Sequence, residues 1–131
     1  MTEIPVSFHN LLSAPGVGIL TTIGADGLPQ TTALWYLFED DQVRLSLNRS
    51  RQKTKNLQRN PSVSFFLLDP ANPYRTIEIR GKATLTPDDD YTFAERLGLH
   101  YGVANLRDND GPGESRVAVA IEPVRVNTFG G

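Results

Sequence analysis

"VGILTTIGADGLPQTTALWYLF", Val17 to Phe38, decides how this chain is built. Val17 to Ile23 is apolar and β-branched, "GADG" supplies the Asp26-Gly27 pair, and Leu28 to Phe38 resumes extended character. Two such runs on either side of an Asp-Gly pair predict a β-hairpin. Alternation in the second run sets Thr32, Leu34 and Tyr36 on one face and Thr31, Ala33, Trp35 and Leu37 on the other, the period of a strand with one buried side. "EDDQ" then turns the chain into Val43 to Asn48, so a three-strand meander is expected.

The same reasoning extends outward. "SVSFFLLD", Ser62 to Asp69, is apolar enough for a buried strand. In "YRTIEIRGKATLTP", Ile77 and Ile79 alternate with Thr76, Glu78 and Arg80, which predicts a half-exposed strand with a bulge at Gly81. Arg116 to Phe129 reads as a last strand in which Pro123 marks an edge or a bulge. Two helices interrupt the strands. Ser50 stands where an N-cap belongs, and "RQKTKNLQRN" runs without glycine or proline until Asn60-Pro61 stops it. From Asp88 to Tyr101 an acidic start and apolar Phe93, Leu97 and Tyr101 at steps of four describe an amphipathic helix. The sum is a mainly β chain of six strands with two or three helices, a single domain over residues 1–131, closed or nearly closed into a small antiparallel barrel because closure removes exposed edges.

Composition narrows the function. The chain has 131 residues, 39% hydrophobic and 21% charged, with no apolar run long enough for a membrane helix. "MTEIPVSFHNLLSAPG" lacks the basic start of a secretory signal. With no cysteine, disulfides and thiolate chemistry are excluded and a cytoplasmic location is expected. Two histidines, His9 and His100, do not make a typical zinc site. Ser115, His100 and an aspartate form a triad only on paper, since Ser115 lies in a loop without the glycines of a nucleophile elbow. The aspartates from Asp88 are explained by the helix they precede. A net charge of −2 argues against broad nucleic-acid affinity, and Phe65 and Phe66 belong to the apolar strand rather than to a stacking platform.

One local feature stands against the average. Six basic residues, from Arg44 to Arg59, fall in a stretch without an acid between Asp41 and Asp69. If a helix starts near Ser50, Arg51, Lys53 and Thr54 lie in or beside its first turn, where free N–H groups and the positive dipole end attract anions. Cations there cost some tenths of a kcal/mol each, and a bound phosphate reverses the sign. A solvated basic helix explains the composition equally well.

In this order, "GVGILTTIGADGLPQTTALWYLFEDDQVRLSL", "RSRQKTKNLQRNPSVSFFLLD" and "IEIRGKATLTP" resemble the split β-barrel flavin and deazaflavin oxidoreductases, the pyridoxamine 5'-phosphate oxidase superfamily. The R-x-K-T-x-N-L run is most like the branch that uses the deazaflavin coenzyme F420. The resemblance implies an FMN-binding-protein-like fold and a homodimer with the cofactor at the interface. By it, Arg51, Lys53, Thr54 and Asn56 match the phosphate-binding run. Gln30, Thr31 and Thr32 match the strand along the ring, Asn48 the end of the neighbouring strand, and Tyr74 an aromatic position near the ring. It further implies a hydride-transferring reductase of small unsaturated molecules, with no metal and no protein nucleophile. Trp35, Leu37 and Phe129 are candidates to line the substrate pocket, although packing explains large apolar side chains more often. The alternatives are an FMN-dependent enzyme of the same fold, possible as an oxidase, and a non-catalytic flavin-, deazaflavin- or haem-binding protein.

Overall fold

The computed structural model describes residues 2–130. After a 3-10 turn at Val6–Phe8, the elements are α1 (His9–Ser13), β1 (Gly18–Ile23), β2 (Pro29–Leu34), β3 (Leu37–Glu39) and β4 (Gln42–Asn48). They continue with α2 (Gln52–Arg59), β5 (Ser62–Asp69), β6 (Asn72–Pro87), α3 (Thr92–His100) and β7 (Arg116–Phe129). All strand pairs are antiparallel, in the order β2-β1-β5-β6-β7-β4-β3. The two ends of this sheet, β2 and β3, are consecutive in the chain and separated by Trp35 and Tyr36 alone. Three residue steps span roughly 10 Å at most, so the sheet must curl until its edges nearly meet. That makes a split barrel.

The hairpin forms as expected: Gly24 N–H donates to Leu28 O at 2.8 Å, Gly27 takes a positive φ of 82°, and the Asp26 carboxylate accepts the Leu28 N–H at 3.0 Å. The meander does not form. The second run breaks after Leu34, so β4 pairs with β3 and β7 and never with β2, giving seven strands where six were expected. The break has a cause. Tyr36 turns inward, almost fully buried, with its ring edge-on to Phe65 at 5.0 Å. Its backbone is held by the Tyr101 hydroxyl, which accepts the Tyr36 N–H at 3.1 Å and lies 3.1 Å from Tyr36 O. A side chain thus takes the place of a strand partner.

Inside the barrel, Leu20, Leu45, Phe65, Ile77, Ile79 and Ile121 are fully buried, one contiguous core supplied by alternate positions of five strands. β6 bulges between Arg80 and Gly81, where Gly81 faces Pro123 and a Cβ would strike the Glu122 carbonyl. Pro123 marks a bulge and an edge together, since β7 pairs with β6 there while its pairing with β4 ends at Ile121. Helix starts also differ from expectation. α2 has Arg51 as its N-cap residue, with no side-chain cap, because the Ser50 hydroxyl turns to Asn48 Oδ1 at 2.8 Å and the Glu114 carboxylate at 2.9 Å. α3 begins at Thr92, and buried Asp88 accepts the N–H groups of Phe93 at 3.0 Å and Ala94 at 2.9 Å. The acidic start is a cap, as the dipole argument requires. No helix among the described residues is long and apolar enough to cross a membrane.

Candidate functional site

β2 and α2 meet along one face. Gln30, Thr32 and Leu34 alternate inward on β2, while Thr31 points outward and shares a 3.0 Å hydrogen bond with Thr21 on β1. The Lys53 ammonium donates to Thr32 Oγ1 at 3.3 Å. Asn56, 1% exposed, donates to Thr22 Oγ1 at 3.1 Å and to Gln30 Oε1 at 3.0 Å, and accepts from Gln52 Nε2 at 2.9 Å. Thr54 is fully buried and donates to Asn48 O at 2.7 Å. Asn48 accepts the Ser50 N–H at 2.9 Å and donates to Asp110 Oδ1 at 3.1 Å. Thr54, Asn56 and Asn48 thus spend their polar groups within the protein, fixing α2 against β1, β2 and the end of β4.

Arg51 and Lys53 are different. Among the described residues neither pairs with a carboxylate. Both line a cavity of about 250 Å³. Its polar lining includes Asn48, Ser46, Asn109 and Arg116, and its apolar lining Leu34, Trp35, Leu97 and Leu106. Burial lowers the Lys53 pKa from its ordinary value, and the like charges of Arg51 and Arg116 lower it further. A half-buried ammonium without a counter-ion, beside the first turn of a helix, is an environment that an anion would relieve.

Arg116 is the charged wall residue that sequence reasoning missed. It opens β7 opposite Asn48 in the register, a pairing the sequence does not display. Its guanidinium is fully engaged: Nε donates to Asp110 Oδ2 at 2.7 Å, Nη2 to Asp110 Oδ1 at 2.9 Å, and Nη1 to Ser46 Oγ at 3.2 Å. The Tyr91 hydroxyl also donates to Asp110, at 2.6 Å. These bonds, Arg116 first, hold the Asp110 carboxyl down to about 2. Asp110 therefore neutralises Arg116 and leaves Lys53 and Arg51 as the cations open to a ligand.

Tyr74 does not join this group within one protomer. It is 75% exposed near the Asp69–Asn72 end of the β5–β6 hairpin, whereas α2 leads into the opposite end of β5 at Ser62. Eight strand residues separate those ends by roughly 25 Å. Of the apolar candidates, Trp35 lines the cavity, while Leu37 lies on β3 and Phe129 is exposed near the end of β7. A second depression, about 310 Å³ on the outer face near Val63 and Val124, holds Arg80 and Lys82. Both are engaged, with Glu78 at 3.2 Å and Ser62 Oγ at 2.9 Å respectively.

Comparison with known proteins bears on this geometry. Residues 6–130 match a family model described as pyridoxamine 5'-phosphate oxidase. A solved structure named as an F420 reductase is 31% identical, with a TM-score of 0.83 over 95% of this chain and 98% of that one. A conserved hypothetical protein from Mycobacterium tuberculosis is 25% identical, with a TM-score of 0.79 over 98% of this chain and 86% of its own. A heme binding protein from Mycobacterium smegmatis is 18% identical, with a TM-score of 0.72 over 99% of this chain and 56% of its own. That last likeness is one of fold alone.

Proposed function

The chain belongs to the pyridoxamine 5'-phosphate oxidase family, and on that premise we propose that it is a reductase using the deazaflavin coenzyme F420 to reduce small unsaturated organic molecules. The observation that carries the reading is Lys53: an ammonium drawn into a cavity wall beside Arg51 and α2, with no carboxylate among the described residues to answer it. Its environment fits a phosphate diester or carboxylate. Charge-assisted bonds of roughly 1.5–3 kcal/mol each from two such cations supply a large part of micromolar binding. The 31% identity to a structure named as an F420 reductase supports the deazaflavin over FMN.

When bound, the reduced deazaflavin supplies a hydride. The protein's own work is to hold and shield. Lys53 and Arg51 would hold the anionic part, β2 at Gln30, Thr31 and Thr32 would offer its edge to the ring, and Asn48, Thr54 and Asn56 fasten α2 to β2 and to the end of β4. Leu34, Trp35, Leu97 and Leu106 supply the apolar part of the lining against which a ring or substrate would pack. The working unit is a homodimer with the cofactor at its interface, an arrangement in which Tyr74 would approach the cofactor from the second protomer.

Replacing both Arg51 and Lys53 by alanine tests the reading. Cofactor affinity, followed by deazaflavin fluorescence, falls at least tenfold while the thermal unfolding transition stays cooperative. Unchanged affinity removes the phosphate role. Turnover separates a reductase from a carrier protein: a panel of activated alkenes oxidises the reduced cofactor well above the protein-free rate in the first case and not in the second.

A further inference from the structure

The apolar lining of the cavity is not merely greasy. Trp35 and Tyr101 stack with ring centroids 4.4 Å apart and planes 6° from parallel. Trp35 is 37% exposed and forms part of the cavity wall beside Leu34, Leu97 and Leu106. Tyr101 cannot tilt freely, because its hydroxyl is tied to two backbone segments. It donates to Gly16 O at 2.7 Å, accepts the Tyr36 N–H at 3.1 Å, and lies 3.4 Å from the Gly16 N–H. One face of the indole therefore rests on an immobilised ring, and what remains exposed is a fixed aromatic surface in the cavity wall. Leucines alone would accept any apolar group of the right volume; a rigid indole rewards a flat, π-conjugated one.

We propose that the stacked Trp35–Tyr101 pair selects the substrate, favouring molecules whose reducible double bond is conjugated to an aromatic ring, with Tyr101 as the positioning residue that holds Trp35 in place. This rests on the reductase reading for the reaction, and on the cavity geometry alone for the binding preference. Lys53 and the indole line one cavity, which gives the site two separable recognition elements, a cation and a flat aromatic surface.

The test uses trans-cinnamaldehyde and trans-2-hexenal, the same reducible enal with an aryl or an alkyl tail. Equilibrium dialysis without cofactor gives their affinities for wild type, Trp35→Phe, Trp35→Leu and Tyr101→Phe. Wild type prefers the aryl enal by roughly three- to tenfold, Trp35→Phe retains most of that preference, and Trp35→Leu loses it. In Tyr101→Phe the emission of Trp35, the one tryptophan of the chain, shifts to the red. In turnover the same variant shows a higher KM for the aryl enal at unchanged kcat. Equal affinity for the two enals in wild type, or a preference that survives Trp35→Leu, overturns the proposal. So does a Trp35→Leu variant that loses deazaflavin affinity yet keeps its enal preference, because the indole would then serve the cofactor. Failure of wild type to bind deazaflavin sinks the reductase reading instead, and leaves the dialysis result to be judged separately.

Discussion

Replacing Lys53 by methionine should make the ligand-free protein more stable and the cofactor complex weaker. Among the described residues the ammonium makes one hydrogen bond, at 3.3 Å to Thr32 Oγ1. That length is near the useful limit and contributes about 0.5 kcal/mol. Against it stand a cation in the first turn of α2, unfavourable by about 0.3–1 kcal/mol, and the like charges of Arg51 and Arg116 that lower its pKa. Lysine and methionine have near-equal helix propensity, and an unbranched thioether follows the same half-buried path. The balance favours methionine by about 0.5 kcal/mol, a rise in Tm of about 1–3 °C for a chain of 131 residues. Cofactor affinity moves the other way, by roughly 10- to 100-fold, for the loss of one charge-assisted bond. The sign with pH follows from the lowered pKa. The cationic form is penalised in the folded, ligand-free state, so the penalty is present at low pH and is relieved as pH rises past the folded pKa. Anion affinity is lost over the same rise, beginning below the range of a free lysine. Differential scanning fluorimetry with and without deazaflavin measures both effects. A ligand-free variant less stable than wild type, or one with an undiminished cofactor-induced shift, would refute the reasoning.

Asp110→Asn leaves Arg116 in the wall without its counter-charge and should cost about 2–4 kcal/mol at pH 7. Because the folded pKa of about 2 lies below the ordinary 3.8, the carboxylate's contribution is complete above pH ~5 and about half lost by pH 3. The Tm gap between wild type and variant therefore narrows as the pH is lowered, and a constant gap would count against the Asp110–Arg116 pair as its source. Asn56→Ala removes the amide that joins α2 to Thr22 and Gln30 and should lower stability by about 1–3 kcal/mol, read by urea unfolding. A change within error would mean that this amide does not fasten the helix.

Local chemistry was legible where it acts over a few residues: the Asp26-Gly27 turn, the alternation through Ile77 and Ile79, and the bulge at Gly81 all stand in the sequence. The meander was misread because Trp35 and Tyr36 continue the strand pattern perfectly well; what breaks it is the Tyr101 hydroxyl, 65 residues away. Ser50 looked like a cap because the sequence does not show that its hydroxyl turns back to Asn48, two residues earlier, and across to Glu114 in a distant loop. The site divides the same way. Arg51 and Lys53 were visible as cations without acids nearby in the chain. Arg116 and its neutraliser Asp110 were not, since only the pairing of β4 with β7 brings them to Asn48. Trp35 was read first as packing, which is the commoner fate of tryptophan, and its place in the cavity wall depends on the strand break.

The most direct test is a side-by-side titration of the purified protein with the deazaflavin and with FMN under identical salt and pH. Submicromolar to micromolar binding of the deazaflavin, FMN at least tenfold weaker, and loss of both on removing Arg51 and Lys53 is the predicted result. A protein that isolates yellow with bound flavin and ignores the deazaflavin, or binds it equally well without those two cations, contradicts the account.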